Sequence, residues 1–394
     1  MASTGVILAV LQLFFALTWV IYVIYLPGLA AQAGIPKDAV PLILLMDQAI
    51  FVACDWAAGV YADRVAATLG RIGPRLAMVT LVSCAAFLAL PFVAPEGSVP
   101  AFIALTVVWS ATSSALRAPP LMLIGKHAAS PHRPWLAGLY MLGIGIAGAM
   151  APYLGSTLKG VDPRIPFAIS SIVVVVVTFV LAAAERRLEG STSTLREREW
   201  RFRQPGGFTI GAFAIAVALL AVGFQVHFSM NSVPAYLKHA KPQDLEHLMP
   251  VFWIGFNLLM LPATLLTKRF GGLFVMALAG VVAVAATAFA ARVDNLDALI
   301  AAQFVAGGAW GTLLMSAFTA ALAVGNPGRG GSVTGMLFSV LALAAFARIA
   351  FVNAGGPSLP GLAEVLPVVP AVLWAAGTLV IAGLAFRIGR SSAA

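Results

Sequence analysis

The feature that most constrains this chain is an apolar run of about 20 residues, the length that an α-helix needs to cross a bilayer. Such runs occur twelve times in the chain. We predict spanning helices at residues 5–27, 39–62, 76–94, 101–124, 134–157, 165–184, 208–230, 248–266, 273–291, 298–323, 332–353 and 366–387. Backbone polar groups must be satisfied within the segment in lipid, and an α-helix does this. The pattern therefore predicts an all-α integral membrane protein.

The composition excludes a soluble fold. Only 10% of the residues are charged, whereas about a quarter is usual in soluble domains. The two cysteines, Cys54 and Cys84, both lie inside apolar runs. We interpret them as small core residues, and we expect neither a disulfide framework nor a metal site.

The lysines and arginines are distributed unequally between the two predicted sides of the membrane. If the N-terminus is cytoplasmic, sixteen of the 24 lysines and arginines fall in cytoplasmic segments and six in outer loops. Cytoplasmic loops of membrane proteins carry such an excess, so we predict that both termini are cytoplasmic. The net charge of +9 then has a topological explanation, and we expect no nucleic-acid partner.

One long polar segment divides the helices into six and six. Residues 185–207 are rich in alternating charges, and we predict a cytoplasmic linker there. It separates an N-terminal six-helix bundle at 1–184 from a C-terminal six-helix bundle at 208–394. The halves repeat each other weakly, which is typical of transporters built from internal repeats.

The second apolar run contains two carboxylates, Asp47 and Asp55. An acid at the bilayer centre costs at least about 2.5–3.5 kcal/mol, so it needs a partner, a water-filled cavity or a proton. We therefore predict proton coupling at both residues. The alternative is that neighbouring polar groups satisfy them as structural acids.

An arginine lies at the depth of one of these acids. At a rise of about 1.5 Å per residue, Asp55 lies about 12 Å above Asp63 at the cytoplasmic end of its helix. Arg117 lies nine residues before Lys126, so we predict that Asp55 and Arg117 are coupled, directly or through water. Protonation of Asp55 would free Arg117, whose fork-shaped guanidinium fits an anionic group. A permanent structural salt bridge is the alternative. The prolines at 119 and 120 predict a bend just below the arginine.

The second helix ends in Gly59-x-x-x-Asp63-Arg64. Together with twelve helices in two sets of six, this motif resembles the loop signature of the major facilitator superfamily. The chain departs from that signature after Arg64, where four residues intervene before Gly70-Arg71. The resemblance implies two pseudo-symmetric six-helix bundles that transport by alternating access. It also implies a gating role for Gly59, Asp63 and Arg64.

The same resemblance places an outer gate. In the family fold, helices two and eleven face each other across the two halves. Asp47 and Arg348 both lie in the outer half of these helices, so they are candidates for a gate that closes when the protein faces inward.

The fifth helix resembles that of antiporters in this superfamily. Gly138, Pro152 and Gly155 match their pattern, with Ala147 and Ala151 at two other glycine positions. Small residues at a spacing of four also let another helix approach closely. The members of this stripe are Gly143, Ala147, Ala151 and Gly155. Pro152 would bend the helix there. The resemblance favours export over import, although close packing alone also explains the stripe.

A central cavity is implied by the resemblance, because helices one, four, seven and ten line it in the family fold. The candidate substrate-binding residues on these helices are Arg117, Gln12, Tyr22, Gln225, His227 and Gln303. A histidine near a helix end is also typical of an interfacial residue.

No enzyme signature and no glycine-rich nucleotide loop is present, so we expect a non-enzymatic protein without a cofactor, driven by the proton gradient. We expect a monomeric secondary transporter in the bacterial inner membrane, in contact with lipid, that exports a small organic anion or amphipathic compound by proton antiport. Proton symport of a carboxylate into the cell is the alternative. A non-transporting receptor or scaffold would need a larger soluble module than these loops supply.

Overall fold

The computed structural model describes residues 2–69, 72–127, 130–189, 207–324 and 328–393. Most of the predicted linker, together with Gly70 and Arg71, lies outside these ranges. Within them the chain is helical and contains no strand.

Twelve helices of the described chain are long and apolar enough to span a membrane, which confirms the predicted fold class. We label them α1 to α12 in chain order. They are Gly5–Gln32, Lys37–Thr68, Gly73–Glu96, Val99–Ile124, Arg133–Thr157, Arg164–Glu185, Thr209–Leu237, Pro242–Phe270, Gly272–Ala290, Leu296–Ala323, Gly330–Asn353 and Val369–Ile388.

The first helix is longer than predicted. Its apolar run was expected to end at residue 27, but α1 passes through Pro27 and continues to Gln32. Leu29 and Ala30 are buried beyond the proline, so tertiary packing outweighs the missing hydrogen bond. The helix ends before Gly34, whose positive φ of 87° suits glycine.

The fourth helix is interrupted just above Arg117 rather than below it. A 3-10 turn covers Ser114–Leu116, and the α-helix resumes immediately after Arg117. The two prolines therefore lie in a first helical turn, where the missing N–H costs no intrahelical bond. The hydroxyl of Tyr140 in α5 donates to the carbonyl oxygens of Leu116 and Arg117, at 3.3 and 2.9 Å. Tyr140 thus satisfies the carbonyl groups that the break next to Arg117 leaves free.

The seventh helix contains a wider segment. Residues Gln225–Asn231 form a π-helix, after which α-helical geometry resumes. Ser232 Oγ donates to the carbonyl of His227 at 3.0 Å, and Asn231 Nδ2 donates to the carbonyl of Leu366 at 2.8 Å. Such segments are frequent at functional sites.

The most extensive contacts between the halves are those of α2 with α11 and of α5 with α8. A Cβ atom on Gly59 would collide with the carbonyl oxygen of Gly331, and one on Gly335 would meet the carbonyl oxygen of Asp55. The backbones of α2 and α11 are therefore in direct contact from Asp55 to the cytoplasmic end predicted for α2.

The α5–α8 contact uses different residues from the predicted stripe. Gly138, Gly145 and Gly148 face Thr264, Asn257 and Trp253 of α8. These three glycines share a face of α5 that the spacing of four did not identify.

The predicted stripe has a different environment. Gly143 packs on the backbone of α1 between Ala9 and Leu13, whereas nothing lies within 4 Å of a Cβ on Gly155. Ala147 is buried, and Ala151 and Pro152 are half-buried. Of the two glycines in the stripe, Gly143 therefore mediates a close helix approach and Gly155 does not.

Candidate functional site

The centre of the site is an ion pair between α2 and α4. Arg117 Nη1 donates to Asp55 Oδ2 at 2.9 Å, and the Asp55 side chain is fully buried while 17% of the Arg117 side chain is exposed. The predicted coupling of these two residues is thus present as a direct contact. The break in α4 places the arginine, because its side chain leaves the helix where the 3-10 turn ends.

Aromatic and unpaired polar groups surround the pair. The Arg117 guanidinium lies 3.9 Å from the ring centre of Phe51 and 5.8 Å from that of Phe15, so cation–π attraction helps to hold it. Asp55 Oδ1 and Ser114 Oγ are buried and have no hydrogen-bond partner among the described residues. Because α11 touches the backbone at Asp55, the pair lies directly at the boundary between the halves.

Asp47 belongs to a separate group inside the first half. Its two carboxylate oxygens accept hydrogen bonds from Tyr22 Oη at 2.8 Å and from Ser110 Oγ at 2.6 Å. All three side chains are buried, and the ring of Tyr22 lies 4.5 Å from that of Trp109. Ser110 was not found from the sequence, because a serine in an apolar run carries no periodic signal.

The two residues of the predicted outer gate, Asp47 and Arg348, are not bonded to each other in this structure. Arg348 Nε donates to Gln225 Oε1 at 2.9 Å within the second half, while Asp47 is bonded within the first. Gln225 also accepts from Ser229 at 3.3 Å. The gate between Asp47 and Arg348 stays a prediction about a different conformation.

His227 and Gln303 form a closed polar network. His227 Nε2 and Gln303 Oε1 are 3.0 Å apart, and Gln303 Nε2 donates to Ser232 Oγ at 3.1 Å. Because Ser232 in turn donates to a carbonyl, Gln303 Oε1 is the acceptor and His227 Nε2 carries the proton. All three residues are buried, so the network joins α7 to α10.

Two amide side chains have a buried oxygen without a hydrogen-bond partner. Gln12 Oε1 on α1 and Asn257 Oδ1 on α8 have no hydrogen-bond partner among the described residues. Gln12 was a candidate from the sequence, and Asn257 was not, since helix eight is not among the four cavity-lining helices of the resemblance. The Asn257 oxygen lies against the Cα of Gly145, which brings it to the boundary between the halves.

Asp63 connects the halves at the other end of α2. Its Oδ1 accepts from the Gly331 N–H at 2.7 Å, and its Oδ2 accepts from the N–H and the hydroxyl of Ser332 at 2.7 and 2.6 Å. The carboxylate thus caps the N-terminus of α11, where negative charge is favoured by the helix dipole. Arg64 is exposed. We call this contact of Asp63 with Gly331 and Ser332 the α11 cap.

At the end of the molecule where the α11 cap lies, α4 also contacts the second half. Its segment 118–127 packs against α10 and α11 of the second half, whereas its outer segment Val99–Ser113 packs against α2 and α3 of its own half. In the described ranges no three His, Cys, Asp or Glu side chains could hold a metal ion together.

Residues 8–347 match the family model of the Major Facilitator Superfamily. The chain belongs to this superfamily. It is a multi-pass membrane protein with the transporter fold of the Major Facilitator Superfamily, whose members bind small-molecule substrates, often use protons and are generally not enzymes. Comparison with curated protein sequences finds no match.

Solved structures of the superfamily resemble the chain over nearly its whole length. The human organic anion transporter MFSD10 (TETRAN) has a TM-score of 0.74 at 14% identity, with 96% of this chain and 98% of that chain covered. A bacterial homologue of the iron transporter ferroportin has a TM-score of 0.74 at 12% identity, and the E. coli fucose:proton symporter FucP has 0.69 at 13%. Both cover 96% of this chain and 98% of their own. At identities this low, the structural likeness shows a shared fold and nothing further.

Proposed function

We propose that this protein is a proton-coupled secondary transporter for a small organic anion, which works by alternating access in the bacterial inner membrane. The buried Asp55–Arg117 pair carries the proposal, because it combines an acid that can take up a proton with a cation that can bind an anion. The distribution of lysines and arginines supports cytoplasmic termini, and we propose a monomer with lipid around it.

Arg117 has capacity for a further ligand. A guanidinium has five N–H donors, and one of them is used by Asp55 within the described part of the chain. A planar carboxylate fits the remaining fork. The side chain is partly exposed, so a substrate anion can reach it.

The charge of the pair determines the sign of the coupling. With Asp55 ionised the pair is neutral, and an anion that approaches Arg117 also meets the carboxylate. With Asp55 protonated the pair carries one positive charge, and the repulsion is removed. A proton and an anion therefore favour each other's binding, and by thermodynamic linkage the effect is equal in both directions.

This linkage favours symport for an anionic substrate. Proton antiport, which the fifth helix favoured, would require substrate and proton to compete for the pair, as a cationic or neutral amphipathic substrate would. Asp47 offers a second proton site. We propose further substrate contacts at Gln225, His227, Gln303 and Gln12.

The test is ligand stabilisation of the purified protein, since a ligand that binds the folded state raises the unfolding temperature. Organic anions and cationic amphiphiles are compared at acidic and neutral pH. We expect anions to stabilise the protein more strongly at acidic pH. Arg117→Gln should abolish the shift, and Asp55→Asn should make it independent of pH.

Arg164→Gln is the matched control, because Arg164 is exposed and lies 4.9 Å from the ring centre of Phe92, away from the pair. It should leave the anion response unchanged. Stabilisation by anions that weakens at acidic pH would support exchange instead. A response that is independent of pH and unchanged in Asp55→Asn would remove the coupling role of the pair.

A further inference from the structure

A group of partly exposed aromatic side chains lies in the second half. Phe224, Phe228 and Trp253 are each half-buried, and we call them the aromatic wall. Phe224 stacks on Phe228 with ring centres 5.8 Å apart, and Phe228 meets Trp253 edge to face at 5.4 Å. Behind the wall, Trp310 stacks on Phe224 at 4.6 Å and is itself buried. The wall is therefore rigidly backed.

The wall reaches the boundary between the halves. The Trp253 ring covers the Cα of Gly148 in α5 so closely that a Cβ on this glycine would collide with it. One and a half turns away on the same helix, Gly143 packs on α1 next to Leu13, close to Phe15, which contacts Arg117. Five residues of α-helix correspond to about 7.5 Å. The two contact points on α5, one under the wall and one beside the segment of α1 that carries Phe15, are thus about the length of a small organic acid apart.

Two residues with unpaired amide oxygens pack along the same stretch of α5. Asn257 follows Trp253 by one helical turn on α8, and its buried Oδ1 has no partner among the described residues. Gln12 Oε1, on the turn of α1 that Gly143 contacts, is in the same condition. A buried amide oxygen without a hydrogen bond costs about 1–3 kcal/mol, so a ligand that donates to either amide would recover that loss.

From these three observations we infer the substrate class: an aromatic carboxylate with a hydroxyl or amino group between or beside its ring and its acid. The carboxylate binds Arg117, the polar group binds the unpaired amides, and the ring packs on the aromatic wall. The inference rests on the proposed function, because it uses the same arginine. It adds the requirement for a planar ring, which the ion pair alone does not impose.

The experiment compares four acids by titration calorimetry on the purified protein: mandelate, which carries its hydroxyl group between ring and acid, phenylacetate, cyclohexylacetate and hexanoate. Aromatic pairs contribute about 0.5–1.5 kcal/mol beyond area burial, which is about two- to tenfold in affinity. We therefore expect phenylacetate to bind several times more tightly than cyclohexylacetate, which has the same carbon skeleton without π-electrons. The hydroxylated acid should bind more tightly still.

Variants separate the wall from general packing. Trp253→Leu should remove the preference for phenylacetate over cyclohexylacetate, Trp253→Phe should retain it, and Asn257→Leu should remove only the advantage of the hydroxyl group. Trp135→Leu is the matched control, because Trp135 is 45% exposed at the start of α5. It should change none of the ratios.

The outcomes distinguish the inference from the proposed function. If the four acids bind equally well and Arg117→Gln abolishes binding of all of them, the aromatic requirement is wrong and the anion site stands. The same conclusion follows if Trp253→Leu weakens all four acids by one factor. If none of the acids binds, both the inference and the proposed anion site fail.

Discussion

The α11 cap is expected to hold the two halves together at the Asp63 end, and Asp63→Asn tests this. The carboxylate of Asp63 accepts three hydrogen bonds from Gly331 and Ser332. An asparagine keeps one acceptor oxygen but places an NH₂ group against an N–H donor, and it removes the charge that favours the helix N-terminus.

The size of the effect follows from the lost bonds. Hydrogen bonds to charged groups contribute about 1.5–3 kcal/mol each, and a partly exposed site reduces that value. Losing two of three bonds should therefore cost about 2–4 kcal/mol. Because 1.4 kcal/mol is a factor of ten, the equilibrium should shift by roughly 30- to 700-fold towards the conformation in which α2 and α11 separate at this end.

Thiol labelling measures this equilibrium. Thr334 is buried in the first turns of α11, so Thr334→Cys in a background without Cys54 and Cys84 should react slowly until the ends separate. Asp63→Asn should raise the labelling rate by one to three orders of magnitude. The matched control is Glu185→Gln, because Glu185 accepts from the N–H groups of Ile72 and Gly73 at 3.2 and 2.7 Å inside one half.

The control should lower the unfolding temperature without accelerating the labelling. An equal acceleration in both variants would mean that the labelling reports local unfolding. No acceleration in Asp63→Asn would refute the reasoning that the cap holds the halves together.

Three further predictions use the same preparation. Gln303→Leu should destabilise the protein by about 1–3 kcal/mol, because it leaves the buried side chains of His227 and Ser232 without their hydrogen-bond partner. The effect is measured as a lower unfolding temperature, and an unchanged temperature would show that water replaces the amide. Gly145→Ala should lower that temperature through a clash with α8, by about 1–3 kcal/mol, whereas Gly155→Ala should not, since its Cβ meets open space. Asp47→Asn and Arg348→Gln should each increase thiol accessibility at the outer side; unaltered accessibility would remove the gate.

The architecture was predictable because lipid imposes it. A bilayer requires about 20 apolar residues per helix, so the number of spans follows from counting, and errors were confined to ends such as Gln32, where packing carries the helix past a proline. The Asp55–Arg117 contact was also predictable, since depth in a membrane can be estimated from the rise per residue and intramembrane charges seek partners.

Other contacts could not be derived this way. The depth argument cannot distinguish Arg348 from the hydroxyls of Tyr22 and Ser110 as partners of Asp47, because all of them lie in the outer half. The partners of Asp63 are mainly backbone N–H groups, which no side-chain pattern records.

The close approaches of α5 to α8 were also missed. They use glycines such as Gly145 whose spacing is irregular. Gly138 is separated from Gly145 by seven residues and Gly148 by three more, so a search for spacing four passes over them.

The π-helical segment of α7 has a consequence for single-codon changes. Each residue turns an α-helix by about 100°, so the extra residue accommodated in Gln225–Asn231 sets the rotational phase of everything that follows. Ser232 and Asn231 reach Gln303 and Leu366 only in that phase. Converting the segment to a regular α-helix without any deletion would turn the outer third of α7 by about 100°, breaking both bonds while leaving Phe224 stacked on Trp310. Deleting one codon within the segment would instead remove the extra residue and keep the phase of the outer third. The π-helical geometry of this short stretch therefore fixes the angle between the inner and outer parts of α7.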